Sequence, residues 1–169
     1  MSKTDKASKL SLKGLLFDSI ENDEEFAITL IDNSQRFKLS FSEANDENET
    51  PLIFACYHSN AIAKAILGQG TLQDIAINAR NNRGCTAFIL ACKSDRVSDS
   101  DLTSIVAKML EIAQEIELDL NTKDNEGKTG FIRACEEKNP EIVNLLVDKA
   151  EDLNIDLQAK DGDGMTAFM

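Results

Sequence analysis

Short stripes of apolar residues alternate along this chain with polar turns, and the stripes have helical spacing. One stripe covers 142–150 behind the pair Asn139-Pro140, and similar stripes cover 61–67 and 105–113. Residues three and four apart share one face of a helix, so each stripe predicts an amphipathic helix. Asn at a helix start can bond free backbone N–H groups, and Pro fits the first helical position. The pattern therefore predicts an all-α chain.

A polar turn followed by an apolar run occurs four times at nearly constant spacing. The aligned segments cover 45–56, 81–92, 124–135 and 161–169. Their threonines lie 36, 43 and 37 residues apart, and these residues are Thr50, Thr86, Thr129 and Thr166. A recurrent period of this length is typical of proteins built from stacked repeats.

Each position of the repeated turn has a physical role. An Asp or Asn opens the turn by bonding its own backbone. Three residues later stands Asn48, Gly84, Gly127 or Gly164, where we expect a positive φ. The Thr then caps the start of a helix, and in the first copy Pro51 follows at the first helical position. The sequence therefore predicts a turn that leads directly into a capped helix.

The repeats share the pattern Asp-x-x-Gly-x-Thr-[Ala/Pro]-[Phe/Leu]-x-x-Ala-Cys, which is followed by a second helix and by a return segment that ends in Asp. Over roughly 14–169 this arrangement resembles the ankyrin repeat. The resemblance implies a solenoid of stacked helix–turn–helix units with projecting β-turn loops. The histidine usual in that family is replaced here by Ile53, Ile89 or Ile132. The glycine that ordinarily ends the second helix is absent from 111–120 and 148–157, so we expect those helices to run one turn longer.

The repeats divide the chain into a disordered leader, 1–9, and one domain, 10–169. The first unit, 10–44, is predicted to be a cap of two short helices at 15–20 and 26–31. An insertion at 94–101 should form an exposed loop. The last unit stops just inside its first helix, which suggests a piece of a longer array. The later units are 45–80, 81–123, 124–160 and the truncated 161–169.

Composition narrows the classes of partner. The chain has 30 acidic and 18 basic residues and a net charge of -12, which disfavours nucleic acid and anionic lipid. No apolar run approaches the roughly 20 residues that span a bilayer.

The four cysteines form no Cys-x-x-Cys pair, and no signal peptide is recognised, so we expect a cytoplasmic or nuclear location. The expected partner is another protein, for which basic patches would complement the acidic surface, and the expected state is a monomer.

The cysteines and the only histidine are the residue types most often found in catalytic or metal-binding sites. Cys56, Cys92 and Cys135 occupy one repeat position and are expected as buried small hydrophobes. Neighbouring helices stand roughly 10 Å apart, which is too far for a shared zinc ion. Cys85 lies in a turn and is expected to be exposed. His58 is two residues from Cys56, so the two side chains should face different directions and form no catalytic pair.

Two turns resemble the beginning of a calcium loop but lack its end. The twelfth residue after the start at Asp124 is Cys135 rather than Glu, and the chain stops before the twelfth residue from Asp161. No phosphate-binding glycine loop occurs. We therefore expect no metal, no cofactor and no catalysis.

The resemblance implies that binding uses the turn tips and the end of each first helix. These residues are acidic in the second unit, basic in the third and acidic in the fourth, so a partner with the opposite pattern would be steered well. Tyr57 stands out as a common type of interface anchor. The alternative for any one of these residues is an ordinary solvated position. The candidates are Asp46, Glu47, Glu49, Tyr57, His58, Asn82, Arg83, Lys93, Asn125, Glu126, Lys128, Glu136 and Glu137.

Two other functions fit the same sequence. The chain could be the regulatory segment of a larger enzyme or channel, with catalysis elsewhere. It could also associate with itself by stacking through its C-terminal end. The full parent sequence would test the first, and sedimentation would test the second.

Overall fold

The computed structural model describes residues 11–69, 74–93 and 100–169. All regular elements in these ranges are helices, in agreement with the predicted all-α class. The predicted leader at 1–9 and most of the predicted insertion, 94–99, lie outside the described residues. The helices are α1 Leu12–Asn22, α2 Glu24–Asp32, α3 Ser34–Phe37, α4 Pro51–His58, α5 Asn60–Leu67, α6 Ala87–Cys92, α7 Ser100–Ile112, α8 Gly130–Glu136, α9 Pro140–Asp148 and α10 Ala150–Leu153.

The longer helices form pairs that stack side by side in chain order. One layer contains α1, α4, α6 and α8, each packed on the next, and the other contains α2, α5, α7 and α9. Each helix also packs against its partner in the opposite layer. The apolar core lies between the layers and includes Ile53, Ile89 and Ile132, which are buried. A buried isoleucine therefore occupies the same position in three successive repeats.

The helix starts follow the predicted capping chemistry. The hydroxyls of Thr50, Thr86 and Thr129 accept bonds from the amides three residues later at 3.4, 3.2 and 3.3 Å. Asn139 caps α9 in the same way, with its Oδ1 accepting from the Ile142 amide at 3.1 Å. These interactions satisfy donors that the first helical turn leaves free. The prediction of capped helix starts is confirmed.

The first unit contains the predicted pair of helices. In the structure both helices are longer than the apolar pattern alone indicated. A single residue, Asp23, separates α1 from α2. Its carboxylate accepts a bond from the Phe26 amide at 3.0 Å and so caps α2. This cap allows the chain to reverse without a longer loop.

The second helices differ in length, and the prediction of a longer helix is confirmed for α7, which has 13 residues where α5 has 8. Helix α7 ends at Ile112 and α9 ends at Asp148, after which α10 forms separately. A residue with positive φ closes each unit, as Glu117 (49°) and Asn154 (53°) illustrate. The next amides, of Leu118 and Ile155, bond carbonyls five residues earlier at 2.9 Å. This closing bond turns the chain back at the end of each of these two units, although no glycine is present.

Two further expectations about loops need correction. Ser100 and Asp101 belong to α7, so the predicted exposed loop is helical at its end. The last unit forms no helix after Thr166; instead Thr166 makes an isolated antiparallel bridge with Lys160. Phe168 contacts Phe131 of α8 and is nevertheless 65% exposed.

Helices α6 and α8 approach each other closely through a glycine. A Cβ atom on Gly130 would lie 2.7 Å from the Phe88 ring and 3.2 Å from the Cys92 sulfur. Both distances are too short for relaxed packing. This close approach sets the separation between the third and fourth units, and with it the spacing of their turns.

Candidate functional site: a row of polar turns

Each repeated turn is closed by its first side chain. The Oδ1 atom of Asn81 accepts the amides of Arg83 and Cys85, both at 3.0 Å. Asp124 accepts the amides of Glu126 and Lys128 at 2.9 and 3.0 Å. The turns that begin at Asn45 and Asp161 repeat this pattern. The fourth residues have the predicted positive φ; they are Asn48 (58°), Gly84 (73°), Gly127 (77°) and Gly164 (80°).

Backbone hydrogen bonds join successive turns into a row. The Asn82 amide donates to the Glu47 carbonyl at 3.1 Å, and the Asn125 amide donates to the Arg83 carbonyl at 3.1 Å. The Gly162 amide continues the series with a 2.9 Å bond to the Glu126 carbonyl. These bonds cross between units and hold the tips at fixed separations. We call the four joined turns the turn row.

The predicted binding residues all remain at least partly accessible. Of them, Asn82, Arg83, Lys93, Asn125 and Glu126 line one cleft of about 240 Å³ between the third and fourth units. The exposed candidates are Asp46, Glu47, His58, Asn82, Arg83, Asn125, Glu126 and Glu136. The half-buried candidates are Glu49, Tyr57, Lys93, Lys128 and Glu137.

The two candidates at the end of α4 also have structural partners. The Tyr57 hydroxyl accepts a bond from Asn81 Nδ2 at 3.3 Å, and partial burial raises the pKa of Tyr57. The His58 ring lies against Phe54, with centroids 4.2 Å apart. Phe54 in turn meets Phe17 edge to face at 5.3 Å. Tyr57 therefore supports the third turn, in addition to any contact with a partner.

A buried cation, Arg133, lies behind the fourth turn, and the sequence analysis missed it. Its side chain is 7% exposed, and Nε and Nη2 donate to Asp124 Oδ2 at 2.9 and 2.5 Å. Nη2 also lies 3.1 Å from Glu126 Oε1, and Nη1 lies 3.2 Å from Glu136 Oε2. Burial disfavours the cation, but the hydrogen bonds to Asp124 and Glu126 outweigh that effect and raise the pKa of Arg133.

Lys128 extends these contacts into a charged cluster. Its Nζ lies 2.6 Å from Glu136 Oε1 and 3.3 Å from Glu126 Oε2. The hydrogen bond to Glu136 raises the pKa of Lys128, and bonds from Arg133 and Lys128 lower the pKa of Glu126. We call Asp124, Glu126, Lys128, Arg133 and Glu136 the fourth-unit cluster. The acidic side chains of this cluster are already paired with Arg133 and Lys128, so they present less uncompensated negative charge than the sequence suggested.

No protein-family model matches the sequence, and no curated protein matches it significantly. No helix in the described ranges is long and apolar enough to cross a membrane. The role of the turn row therefore has to be inferred from its own geometry and charge.

A comparison between repeats could have revealed Arg133. The residue nine positions after the turn-opening side chain is Phe54 in the second unit, Leu90 in the third and Arg133 in the fourth. The turn-opening residue changes from Asn to Asp only in the fourth of these units. A new cation and a new anion thus appear together in one repeat, which is the signal of an ion pair.

The expected exposure of Cys85 is wrong. Its side chain is 3% exposed, because the turn folds it beneath the tip, and its sulfur lies 3.9 Å from the Arg83 carbonyl oxygen. Burial raises the pKa of Cys56 to about 12 and raises that of Cys92 further. A thiol that stays protonated is a poor nucleophile. Within the described part of the chain, no three potential metal ligands lie together.

Proposed function

We propose that this chain is an ankyrin-repeat solenoid whose function is to bind another protein. The binding surface is the turn row together with the ends of α4, α6 and α8. The observation that carries the proposal is the series of hydrogen bonds from turn to turn, which holds exposed polar side chains in a fixed row. A surface ordered before contact loses little conformational entropy on binding. Since one fold supports many functions, the identity of the partner needs its own evidence.

The recurrent turn and the stacked helical pairs support the ankyrin assignment. Each turn has the same side-chain closure, and three of them lead into a Thr-capped helix. Small residues stand at the first helical position in the third and fourth units, Ala87 and Gly130, and at Gly130 the neighbouring helices α6 and α8 approach closely. We infer a binding role without catalysis, in the cytosol or nucleus.

The binding surface can be tested with peptides selected from a random 16-residue phage library on the wild-type protein. One variant carries Asp46→Arg and Glu137→Arg, which reverse charge at two candidates without a described side-chain bond. We expect this variant to bind the selected peptides at least about tenfold more weakly, because opposed charges across an interface are repulsive.

The matched control carries Glu141→Arg and Asp152→Arg. These residues are exposed on α9 and α10, in the other layer, and the change in net charge is the same. We expect its affinities to stay within about twofold of wild type. Circular dichroism would verify that both variants are folded. Equal losses in the two variants, or failure to select any peptide, would contradict the proposed binding surface.

Self-association is a second candidate because the last unit exposes apolar side chains. Phe168 is 65% and Met169 is 81% exposed, and Met165 is exposed as well. Phe168 leans on Phe131 with ring centroids 5.9 Å apart, which leaves its outer surface uncovered. Sedimentation at high concentration tests this function: a dimer that Phe168→Glu abolishes would support it, whereas a strict monomer would exclude it.

A further inference from the structure

We propose that the partner places an acidic side chain in the cleft between the third and fourth units, where Arg83 and Lys93 bind it. This inference rests on the proposed protein-binding function and specifies the chemistry that the surface recognises. The occupant is an Asp or Glu within an extended segment of the partner, with basic residues on both sides of it.

Arg83 and Lys93 are the available cations of this cleft. Arg83 is exposed at the tip of the third turn, and Lys93 is half-buried at the end of α6. Both line the same cleft of about 240 Å³, beside Asn82 and Asn125. Neither forms an ion pair with any residue in the described ranges. Two unpaired cations that face one cleft can both interact with a single carboxylate.

The other two cations near the cleft are already occupied. Arg133 is held by Asp124, Glu126 and Glu136, and Lys128 is held by the latter two. Recruiting either cation would break an existing pair, and for Arg133 that pair is buried. Because they neutralise the neighbouring acids, they also lower the repulsion that an incoming carboxylate would meet. The paired cluster thus leaves the recognition of an anion to Arg83 and Lys93.

The surroundings favour a single carboxylate with bases beside it. The second turn contributes Asp46, Glu47 and Glu49, and the fourth unit contributes Glu137 at the end of α8. These acids would repel a doubly charged phosphate more strongly than a carboxylate. They would attract basic residues to the two neighbouring units. Units stand roughly 10 Å apart and an extended chain advances about 3.3 Å per residue, so the bases should lie about three residues from the acid.

Peptides selected from the random 16-residue library on the wild-type protein provide the probe. We expect the binders to share an acidic residue with Lys or Arg about three positions away on each side. Arg83→Glu should weaken their binding by at least about tenfold. A peptide in which the shared acid is replaced by Lys should bind wild type poorly and recover affinity for the Arg83→Glu protein. Lys149→Glu is the matched control, since Lys149 is exposed beyond α9 and the change in charge is identical.

The outcomes separate this inference from the function on which it rests. Suppose that the selected peptides bind the variant with Asp46→Arg and Glu137→Arg more weakly and yet bind Arg83→Glu as well as wild type. That result would overturn the proposal of an acidic side chain in the cleft and leave the proposed protein binding intact. Binders without a shared acid would overturn it as well. A selection that yields no binders would overturn both proposals. Lys93→Gln gives a second measurement, for which we expect a smaller loss than for the charge reversal.

Discussion

At the scale of single residues, the exchange of Asn81 and Leu90 for Asp124 and Arg133 distinguishes the fourth unit from the third. Both units close their turn with the same Oδ1 acceptor, but only the fourth places a cation behind it. The Arg133 guanidinium is almost fully buried, so its stability depends on the carboxylates around it. The pair therefore couples the fourth turn to helix α8.

Replacing Asp124 by Asn should destabilise the fold although the turn keeps its acceptor oxygen. Loss of a partner from a buried ion pair typically costs 3–5 kcal/mol; because Glu126 and Glu136 still contact Arg133, we expect about 1–3 kcal/mol. Urea denaturation measures this difference in the free energy of unfolding.

The double variant Asp124→Asn with Arg133→Leu recreates the pair found in the third unit. It should regain most of the lost stability and lie within about 1 kcal/mol of wild type, since no unpaired buried charge remains. If the double variant is no more stable than Asp124→Asn, the burial of an uncompensated charge is not the cause.

The ionisation of Glu126 should report on the fourth-unit cluster. Hydrogen bonds from Arg133 and Lys128 lower its pKa below the ordinary value for a glutamate. Because the folded pKa is depressed, the stabilising effect is present above the unfolded pKa and is lost as pH falls through the folded pKa. We expect a carboxyl NMR titration to show the lowered pKa, and high salt to shift it back because the group is exposed. A titration at the ordinary Glu value would contradict the pairing.

At the scale of elements, each of the first four units ends with a residue whose conformation is unusual for any residue other than glycine. Lys38, Ala76, Glu117 and Asn154 all have positive φ although none is glycine. Each stands at the end of a unit, where the chain turns back toward the next polar turn. After Lys38, Glu117 and Asn154, the next amide bonds a carbonyl five residues earlier, and this closing bond requires the conformation regardless of residue type.

Glu117→Gly should therefore stabilise the protein. A left-handed conformation costs a residue with a Cβ about 1–2 kcal/mol, and part of the gain is offset by the greater freedom of glycine in the unfolded chain. We expect a net increase of about 0.5–1 kcal/mol in the free energy of unfolding, measured by urea denaturation.

The control substitution is Glu115→Gly, two residues earlier in the same turn. Glu115 is also exposed and does not have a positive φ, so glycine there should only destabilise. If the two variants have equal stability, the conformation of Glu117 is not the source of strain.

At the scale of the whole molecule, two sets of contacts join the units. Apolar side chains join the two helical layers, and hydrogen bonds join the turns. The contacts between turns involve residues far apart in sequence, such as Asn48 and Asn82, whose side chains bond at 2.7 Å. The turn row is therefore a property of the stacked units rather than of any one repeat.

The contribution of contact between turns can be isolated by comparing two glycines. Gly127 and Gly164 have nearly equal φ angles, 77° and 80°. A Cβ atom on Gly127 would lie 2.5 Å from the Gly162 amide nitrogen, whereas a Cβ atom on Gly164 would contact nothing within 4 Å. Gly164→Ala should cost about 1 kcal/mol from conformation alone. Gly127→Ala should cost about 1–3 kcal/mol more, because the neighbouring turn has to move.

Urea denaturation gives both free energies, and hydrogen exchange of the Gly162 amide gives an independent measure. That amide bonds the Glu126 carbonyl at 2.9 Å, so its protection should fall in Gly127→Ala and not in Gly164→Ala. Equal costs for the two substitutions would mean that the turns are not coupled.

The sequence by itself determined the local structure of this protein: the turns, the caps and the approximate helices. Those features depend on residues at most a few positions apart, so a pattern such as Asn45 to Thr50 contains all the groups involved. The tertiary structure decided which groups remain free to bind. Cys85 is buried, and Glu126 and Glu136 are paired, whereas Arg83 and Lys93 form no ion pair with any described residue. Burial and pairing depend on distances that the packing of neighbouring units sets, so they cannot be read from one repeat.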